Sequence, residues 1–527
     1  STSRRQRQMC IRDRSTMVGT SAEKERYETV NASKEGLVNN DANQQIINAA
    51  TKNPAASGSV SYHTMNSYFG RVFYSYADKY MITANIRWDG SSNFADKHRW
   101  GVFPSVSGGW NFREESFIKD VVGDWFSQGK FRAAWGEIGN QNISSGAYLT
   151  RYGNSTYYLL GNSMTPWLSG GRTNVGNPDL RWETTRQLDF GLDLAFFNSA
   201  LKFNIDYFDR KTSDMLVQVP MPAAIGLPNT PWSNAGSVKN RGFEFVLDYH
   251  GKIGNDFSYN IAGNISTYKN KVLSLGGGTN IPGKTHLGNQ VNTMIEPGKP
   301  IGYFYGYKMD GVFQTQEEIN NYRGGPDNTI IMPTAEPGDL KFVDLNGDGK
   351  LGEEDRTMIG NPHPDFTFGL TLSGEYKGFD LSMFFQGSVG NDILNILKYD
   401  IYSGTGWYNA PKDIFDKFWT GPGSTNENFA ISANSRDNLT MSEWYIENGS
   451  YVRLKNVTLG YTFPKQWVQK LTVQNLRLFV AAQNLFTITS YSGLDPELGN
   501  SNPAFMGIDM GWYPQARSFM VGLSLKL

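Results

Sequence analysis

A strict alternation of apolar and polar residues recurs along most of this 527-residue chain and limits the folds open to it. Successive side chains of a β-strand point to opposite faces, so a period of two indicates strands with one apolar face. Clear examples lie at residues 80–88, 188–196, 201–207, 243–249 and 519–527. Several runs last about ten residues, which is the length that a tilted strand needs to cross a bilayer. We therefore predict an all-β chain that forms a transmembrane antiparallel β-barrel.

The connections between these runs are of two kinds. Short turns lie at residues 77–79, 198–200, 377–378 and 464–465, whereas residues 140–180, 215–238, 273–299 and 391–448 form long connections. Outer-membrane barrels have this pattern, with short periplasmic turns and long extracellular loops. A soluble β-sandwich or propeller is the alternative, although its strands usually have about five or six residues.

Composition narrows the classes further. No apolar run approaches the ~18 residues of a membrane-spanning helix. Lys plus Arg (49) balances Asp plus Glu (50), so there is no basic surface to predict nucleic-acid binding. The single cysteine, Cys10, excludes both a disulfide within the chain and a cysteine-based metal site.

Three regions follow from these patterns. Residues 1–14 are basic and patternless, and we interpret them as a leader that is not native to the protein. Residues 15–64 are predicted to be a loop and barrel remnant, with a polar loop and one short helix between residues 22 and 55. Residues 65–527 are predicted to be the outer-membrane β-barrel with its long extracellular loops.

Residues 344–355 match the spacing of a calcium-binding loop. Calcium prefers six to eight oxygen ligands, and this spacing wraps oxygens around one point, with Gly349 at the sharp turn. The predicted ligands are Asp344, Asn346, Asp348, Lys350 (through its carbonyl) and Asp355. The last position is Asp rather than the usual Glu, which has a longer side chain. We predict a structural Ca²⁺ site, and a plain Asn-Gly or Asp-Gly turn is the alternative.

Other motifs carry no predicted chemistry. Residues 278–285 match a phosphate-binding loop, but Pro282 interrupts the loop and no helical apolar stripe follows it. We interpret this match as chance and predict no nucleotide. The five histidines are scattered, and neither a metalloprotease nor a serine-hydrolase motif is present. We therefore predict no catalytic residues and no enzyme.

Aromatic side chains are frequent in the long connections. Aromatic faces at a loop surface stack on sugar rings or anchor a protein partner, although each one can equally serve loop packing. The residues predicted to contact substrate or partner are Trp167, Trp232, Trp407, Tyr408, Trp419, Trp444 and Trp512.

Seven segments carry motifs beyond simple alternation. They are residues 69–80, 87–94, 176–185, 344–355, 360–366, 384–390 and 449–461, and they include RWDGSSNF, GNPDLRWETT and GSYVRLKNVTLGY. Together they resemble the C-terminal barrel portion of the SusC/RagA-type TonB-dependent outer-membrane transporters. The resemblance covers residues 65–527.

This resemblance implies a function and a set of partners. It implies import of large nutrients, glycans (oligosaccharides) or peptides, across a Gram-negative outer membrane. The implied partners are a SusD-like lipoprotein over the extracellular loops, the TonB complex through an N-terminal plug, and the lipid of the outer membrane. The plug is absent from this sequence, and Leu527 stands where such barrels usually end in an aromatic residue.

Two other functions stay open. A passive porin or structural barrel would share the strands but seldom needs several very long outer loops. A secreted carbohydrate-binding module with a calcium loop would be soluble without detergent.

The alternation also predicts which side chains face lipid. These are Leu188, Phe190, Leu192, Leu201, Phe203, Ile205, Phe519, Val521 and Leu523. We count about fourteen strands of membrane length, whereas transporters of the resembled type have about twenty-two. We therefore expect a fragment whose unpaired sheet edges lie at residues 68–75 and 519–527.

Overall fold

The computed structural model describes residues 12–39, 41–160, 165–218, 231–276, 280–284, 290–402, 408–431, 437–468, 473–500 and 502–526. Strands dominate this part of the chain, as the alternation predicts. They are β1 (Arg12–Glu35), β2 (Lys52–Tyr76), β3 (Tyr80–Ser91), β4 (Trp100–Trp110), β5 (Phe126–Asn140), β6 (Arg151–Leu160), β7 (Thr165–Asn174), β8 (Glu183–Phe196), β9 (Leu201–Ser213), β10 (Leu216–Gln218), β11 (Trp232–Asn234), β12 (Ser237–Ile253), β13 (Phe257–Ser274), β14 (Ile281–Lys284), β15 (Val291–Ile295), β16 (Tyr303–Tyr307), β17 (Met309–Val312), β18 (Arg323–Gly324), β19 (Thr329–Ile330), β20 (Leu340–Phe342), β21 (Arg356–Gly360), β22 (Phe366–Tyr376), β23 (Phe379–Val389), β24 (Asp392–Asn395), β25 (Ile446–Asn448), β26 (Tyr451–Thr462), β27 (Asn475–Thr489), β28 (Ile508–Asp509) and β29 (Ser518–Lys526).

Helices are short. They are α1 (Ser116–Lys119), α2 (Gln316–Asn321), α3 (Leu397–Tyr402), α4 (Ile414–Lys417) and α5 (Lys465–Val468). Among the described residues, none of the helices has the length and apolar character needed to cross a membrane.

Fourteen strands form one large sheet. Its order is β1-β2-β3-β4-β5-β8-β9-β12-β13-β22-β23-β26-β27-β29. Strands that are adjacent in this order also follow one another along the chain once the small loop strands are set aside. The ladders are antiparallel, for example between β2 and β3, β22 and β23, and β26 and β27. The predicted all-β antiparallel architecture is confirmed.

The chain divides into two compact units. The first comprises Ser1–Gly108, Ala134–Gln187 and Thr212–Gly236, and the second comprises Gly109–Ala133, Leu188–Lys211 and Ser237–Leu527. The first unit has a small apolar core, in which Trp182 packs between the rings of Phe94 and Phe103, each 5.3 Å away between centroids.

The N-terminal strands correct one prediction. The sequence predicts a loop with a short helix in residues 22–55, but β1 and β2 pair from Arg12↔Tyr76 to Ser33↔Ala55. Only two single-turn 3₁₀ helices, at residues 42–44 and 47–49, interrupt the connection. Most side chains of residues 20–33 are exposed on both faces, so no buried face imposes an apolar alternation there. Residues 12–14, part of the predicted leader, begin β1, and the leader's origin stays a prediction.

The ends of the sheet correct a second prediction. Residues 68–75 were expected at an edge, but Gly70 lies opposite Val18 of β1 on one side and Ile86 of β3 on the other. The edge prediction there is wrong because β1 carries no alternation by which it could be recognised. The other expected edge coincides with β29, which ends the strand order.

The predicted short turns agree with the structure in three of four places. Residues 77–79 link β2 to β3, residues 198–200 precede β9, and residues 377–378 link β22 to β23. Residues 464–465 do not form a tight turn, because α5 begins at Lys465 and β27 starts only at Asn475.

One face of the sheet strands is apolar and exposed. In β3, Tyr80, Ile82, Ile86 and Trp88 are 47–53% exposed, whereas the intervening Thr83 is half-buried. Of the nine side chains predicted to face lipid, the exposed ones are Leu188, Phe190, Phe519, Val521 and Leu523, and the half-buried ones are Leu192, Leu201, Phe203 and Ile205. Soluble proteins seldom expose apolar surface on this scale, whereas a hydrocarbon environment favours it.

Candidate functional site

The long loops of the second unit share a hydrophobic core, which we call the loop core. Its buried residues are Phe304, Tyr307, Val312, Phe313, Ile319, Ile331, Met332, Ala335, Leu340, Phe342, Ile359, Leu394, Ile396, Phe418, Phe429, Met441, Trp444, Tyr445 and Ile508. They come from the connections β13–β22, β23–β26 and β27–β29. Each buried aromatic side chain removes roughly 150–250 Å² from water, so the three connections form one packed body rather than three separate loops.

Backbone pairing joins two of these connections. β24 pairs antiparallel with β25 and parallel with β28, which places Leu394 opposite Ile508. A displacement of the β27–β29 connection therefore moves a strand of the β23–β26 connection with it.

Arg453 of β26 is the centre of a buried charge network. Its side chain is 4% exposed and donates to the Thr487 hydroxyl at 2.7 Å. The same guanidinium donates to Asp495 at 2.5 Å and to Glu497 at 2.7 Å. Lys455 also donates to Glu497, at 2.6 and 2.7 Å. Because both acids belong to the β27–β29 connection, the network fastens that loop to a strand of the large sheet.

The Asp495 carboxyl is held in its charged form. Burial alone would raise its pKa, but the hydrogen bond from Arg453 and the backbone N–H groups of Gln515 and Glu497 lower the pKa below its usual value. A carboxylate with a lowered pKa in the folded state contributes stability above the pKa of the unfolded chain. That contribution is lost as the pH falls through the lowered pKa.

A second carboxylate shapes the exposed end of the same connection. Asp509 is 1% exposed and accepts a hydrogen bond from the Tyr491 hydroxyl at 2.6 Å. Burial and this bond raise the pKa of Tyr491, so the hydroxyl stays a donor at neutral pH. Asp509 also accepts from the backbone N–H of Gly511 at 2.8 Å. The resulting turn presents Trp512, which is 50% exposed, and Tyr513, which is 91% exposed.

Three of the predicted contact residues pack inside the loops instead. Trp232 packs against the apolar core of the first unit. Trp444 is buried in the loop core and donates to Asn428 at 3.0 Å. Trp419 packs on the loop core and donates to Gln314 at 3.1 Å. These three indoles are held by the loops themselves, which removes them as first candidates for ligand contact.

Two predicted residues are available at the surface. Trp512 is half-exposed, and Tyr408 is 63% exposed. Phe415 in α4, which the sequence pattern did not single out, is 83% exposed. Trp167 lies in β7, opposite Tyr158, with its side chain outside the described residues, and Trp407 lies outside them altogether.

The predicted calcium loop is ordered by its own backbone. Asp344 accepts from the N–H groups of Gly347 at 2.7 Å and Gly349 at 2.8 Å. Both glycines have positive φ, 72° and 83°, which glycine adopts without strain. Asp348 accepts from the N–H of Lys350 at 2.8 Å. The acids at positions 1 and 5 thus turn the chain in the way that a cation-binding loop needs.

The twelfth position of this loop is buried. Asp355 is fully buried and accepts from Leu345 at 2.9 Å, Asn346 at 3.2 Å and Gly352 at 2.7 Å. Within the described ranges, no three His, Cys, Asp or Glu side chains form a group able to hold a metal ion. The five predicted ligands all lie in one loop, which the structure shows to be ordered by hydrogen bonds to its own backbone. Binding of Ca²⁺ by these residues stays a prediction.

The phosphate-loop match has a different local structure. Residues 281–284 form β14, which pairs with β15, and Pro282 lies within this strand opposite Met294. A phosphate loop needs a helix that begins at this point. Residues 278, 279 and 285 of the match lie outside the described residues, and the interpretation of the match as chance stays a prediction.

Comparison with known proteins extends over nearly the whole chain. A family model described as TonB dependent receptor-like, beta-barrel, matches residues 16–485. TonB-dependent receptor P3 of Formosa agariphila is 35% identical over 528 residues, which cover 97% of this chain and 50% of the relative. TonB-dependent receptor SusC of Bacteroides thetaiotaomicron is 32% identical over 478 residues, with 88% of this chain and 44% of the relative covered. The chain thus spans about half the length of the curated relatives it matches.

Solved structures share the fold. A structure described as the RagAB peptide transporter superposes with a TM-score of 0.78 and 22% identity, covering 98% of this chain and 53% of the other. A RagAB structure in an open-open state gives a TM-score of 0.77. These relatives are receptors and transporters, not enzymes.

Proposed function

Because the chain belongs to the TonB-dependent receptor-like β-barrel family, we propose that it is the strand and loop part of an importer of large nutrients. Its relatives place it in the outer membrane. The proposed substrates are glycans or peptides, and a related structure is described as a peptide transporter. The proposed partners are a SusD-like lipoprotein and the TonB complex.

The loop core is the observation that best supports a large substrate. Three connections bury nineteen residues in common and expose aromatic side chains such as Trp512 and Tyr513 outside that core. A folded loop body of this size can provide a binding surface for a large substrate. A passive pore selects small solutes by a narrow constriction and does not need such a surface. The exposed apolar face of strands such as β3 argues against the secreted soluble module.

Uptake measurements test the proposal directly. A strain lacking the complete protein is expected to lose growth on either a glycan or a peptide mixture, and the complementing gene should restore it. Collapse of the proton-motive force should stop uptake, because energised import requires it. Uptake that continues after collapse would identify a passive porin.

The exposed loop aromatics give a residue-level prediction. Trp512→Ala is expected to lower uptake about tenfold, since an exposed aromatic anchor contributes on the order of 1–2 kcal/mol to binding. The matched control is Trp467→Ala, because Trp467 is 62% exposed in α5 beside the connection to β27. Equal uptake by the two variants would remove Trp512 from the substrate or partner surface. Recovery of a lipoprotein by pull-down in mild detergent, weakened by Trp512→Ala, would distinguish a partner contact from a substrate contact.

We also propose that the loop at residues 344–355 binds Ca²⁺ as a structural ion. The complete protein should bind calcium in calorimetric titration, and Asp344→Asn should weaken binding at least about tenfold, because the site loses one charged ligand. Asp327→Asn, an exposed acid outside the loop, is the control. Absence of binding up to millimolar calcium, the weak end of such sites, would eliminate the ion.

A further inference from the structure

An apolar groove lies on the outward face of β13, β22 and β23, where these strands approach their short turns. Its volume is about 470 Å³ and its lining is almost wholly apolar, and ligand pockets commonly measure about 300–1,000 Å³. The lining includes Tyr259, Leu372, Gly374, Phe379 and Leu381. We call it the rim groove.

The groove exists because one side chain is missing from a regular array. Three cross-strand rows are Phe257–Tyr376–Phe379, Tyr259–Gly374–Leu381 and Ile261–Leu372–Met383. Eight of these nine positions carry a large apolar side chain, and the central one is Gly374. A Cβ at Gly374 would lie 3.3 Å from the Phe257 ring, so even the smallest side chain would begin to fill the floor.

A pair of opposite charges adjoins the groove, since Lys377 follows Tyr376 of the lining and Asp256 precedes Phe257 of the lining. The Lys377 ammonium lies 5.3 Å from the centroid of the Tyr376 ring and 3.6 Å from the Asp256 carboxylate. Both charged side chains are more than half exposed, at 60% and 58%. Exposed pairs of this kind are weak, so each charge remains available to a ligand.

The geometry points to a bound phospholipid with a phosphoethanolamine head group. One acyl chain would occupy the rim groove, with the lipid phosphate at Lys377 and its amine at Asp256. The adjacent opposite charges complement a zwitterionic head group, and the groove is continuous with a face that meets hydrocarbon. Short turns lie on the periplasmic side of such proteins, where the leaflet is made of phospholipid.

The test is lipid titration of the complete protein in mild detergent, followed by native mass spectrometry. The probes are palmitoyl-oleoyl phosphatidylethanolamine and the corresponding phosphatidylglycerol. Gly374→Leu should weaken phosphatidylethanolamine binding by about tenfold or more, because the new side chain takes the place of the acyl chain. Gly263→Leu is the matched control, since Gly263 also lies on β13, outside the groove, and a Cβ there would make only ordinary van der Waals contacts, at 3.6 Å or more.

A second variant tests the head group without altering the groove. Asp256→Asn should abolish the preference for phosphatidylethanolamine over phosphatidylglycerol, because only the former lipid has an amine for this carboxylate to meet. Asp124→Asn, an exposed acid in the connection between β4 and β5, should leave the preference unchanged. Equal lipid binding by wild type and Gly374→Leu would overturn the proposal. So would a Gly374→Leu effect on the dimer fraction alone, which would assign the groove to contact with a second copy.

Discussion

Arg453→Met is expected to destabilise the loop body by about 3–5 kcal/mol, because it leaves the buried Asp495 carboxylate without its counter-charge. Asp495 loses the partner at 2.5 Å, and Glu497 keeps only Lys455. Met retains the apolar stem of Arg, so the change tests charge rather than volume. The measurement is the denaturant concentration at which residues 490–517 become sensitive to protease.

The pH dependence separates this effect from a packing defect. The difference between wild type and variant should be full at neutral pH and shrink as the pH falls through the lowered pKa of Asp495, where the wild type loses the same interaction. The control is Arg181→Met, since Arg181 pairs with Asp214 at the surface, with the two side chains 53% and 38% exposed. That change should cost no more than about 1 kcal/mol. If Arg453→Met and Arg181→Met lowered stability equally, the buried network would contribute no more than an exposed ion pair, which would contradict the role assigned to Arg453.

Ile86→Arg in β3 is expected to cost about 2–4 kcal/mol in a bilayer, the range for a cation near the midplane on the lipid face. Ile86 is 53% exposed and belongs to the outward alternating set of its strand. The measurement is the urea midpoint for unfolding of the complete protein from lipid vesicles. Thr83→Arg on the opposite face of β3 should leave the midpoint nearly unchanged. If both variants behave alike, the assignment of the two faces is wrong.

The sequence predicted the large sheet well wherever burial differs between the faces of a strand. The alternation in residues 80–88 and 188–196 identifies β3 and β8, and the motifs indicate the SusC/RagA-type resemblance that the family match and the SusC relative confirm. It missed β1 and the start of β2 because those residues are exposed on both faces. In these residues only the ladder of backbone hydrogen bonds defines the strand. Because backbone hydrogen bonds form with almost any side chain, they produce no recognisable sequence pattern.

The structure of the long loops could be predicted from the local sequence pattern to a much smaller extent than the strands. The spacing of residues 344–355 predicts a calcium site, which stays a prediction, and the contacts that order this loop span at most ten residues. The aromatic residues of the long connections could not be sorted in the same way. Trp444 and Trp512 look alike in sequence, yet one is 6% exposed and the other 50%, because only contacts between distant loops decide which indole is enclosed.

The contacts of the charge network around Arg453 could not be predicted from the local sequence. Lys455 is the extra residue of a β-bulge where β26 pairs with β23, and a bulge redirects a side chain in a way that alternation does not encode. Arg453 and Asp495 are 42 residues apart. The strands with one apolar face follow from the sequence by itself, because such a strand meets the same two environments along its length. The family follows from the motifs that those strands and their turns carry. The enclosed network, the loop core and the empty position at Gly374 arise only in the tertiary structure, since each depends on side chains that separate strands and loops bring to one point.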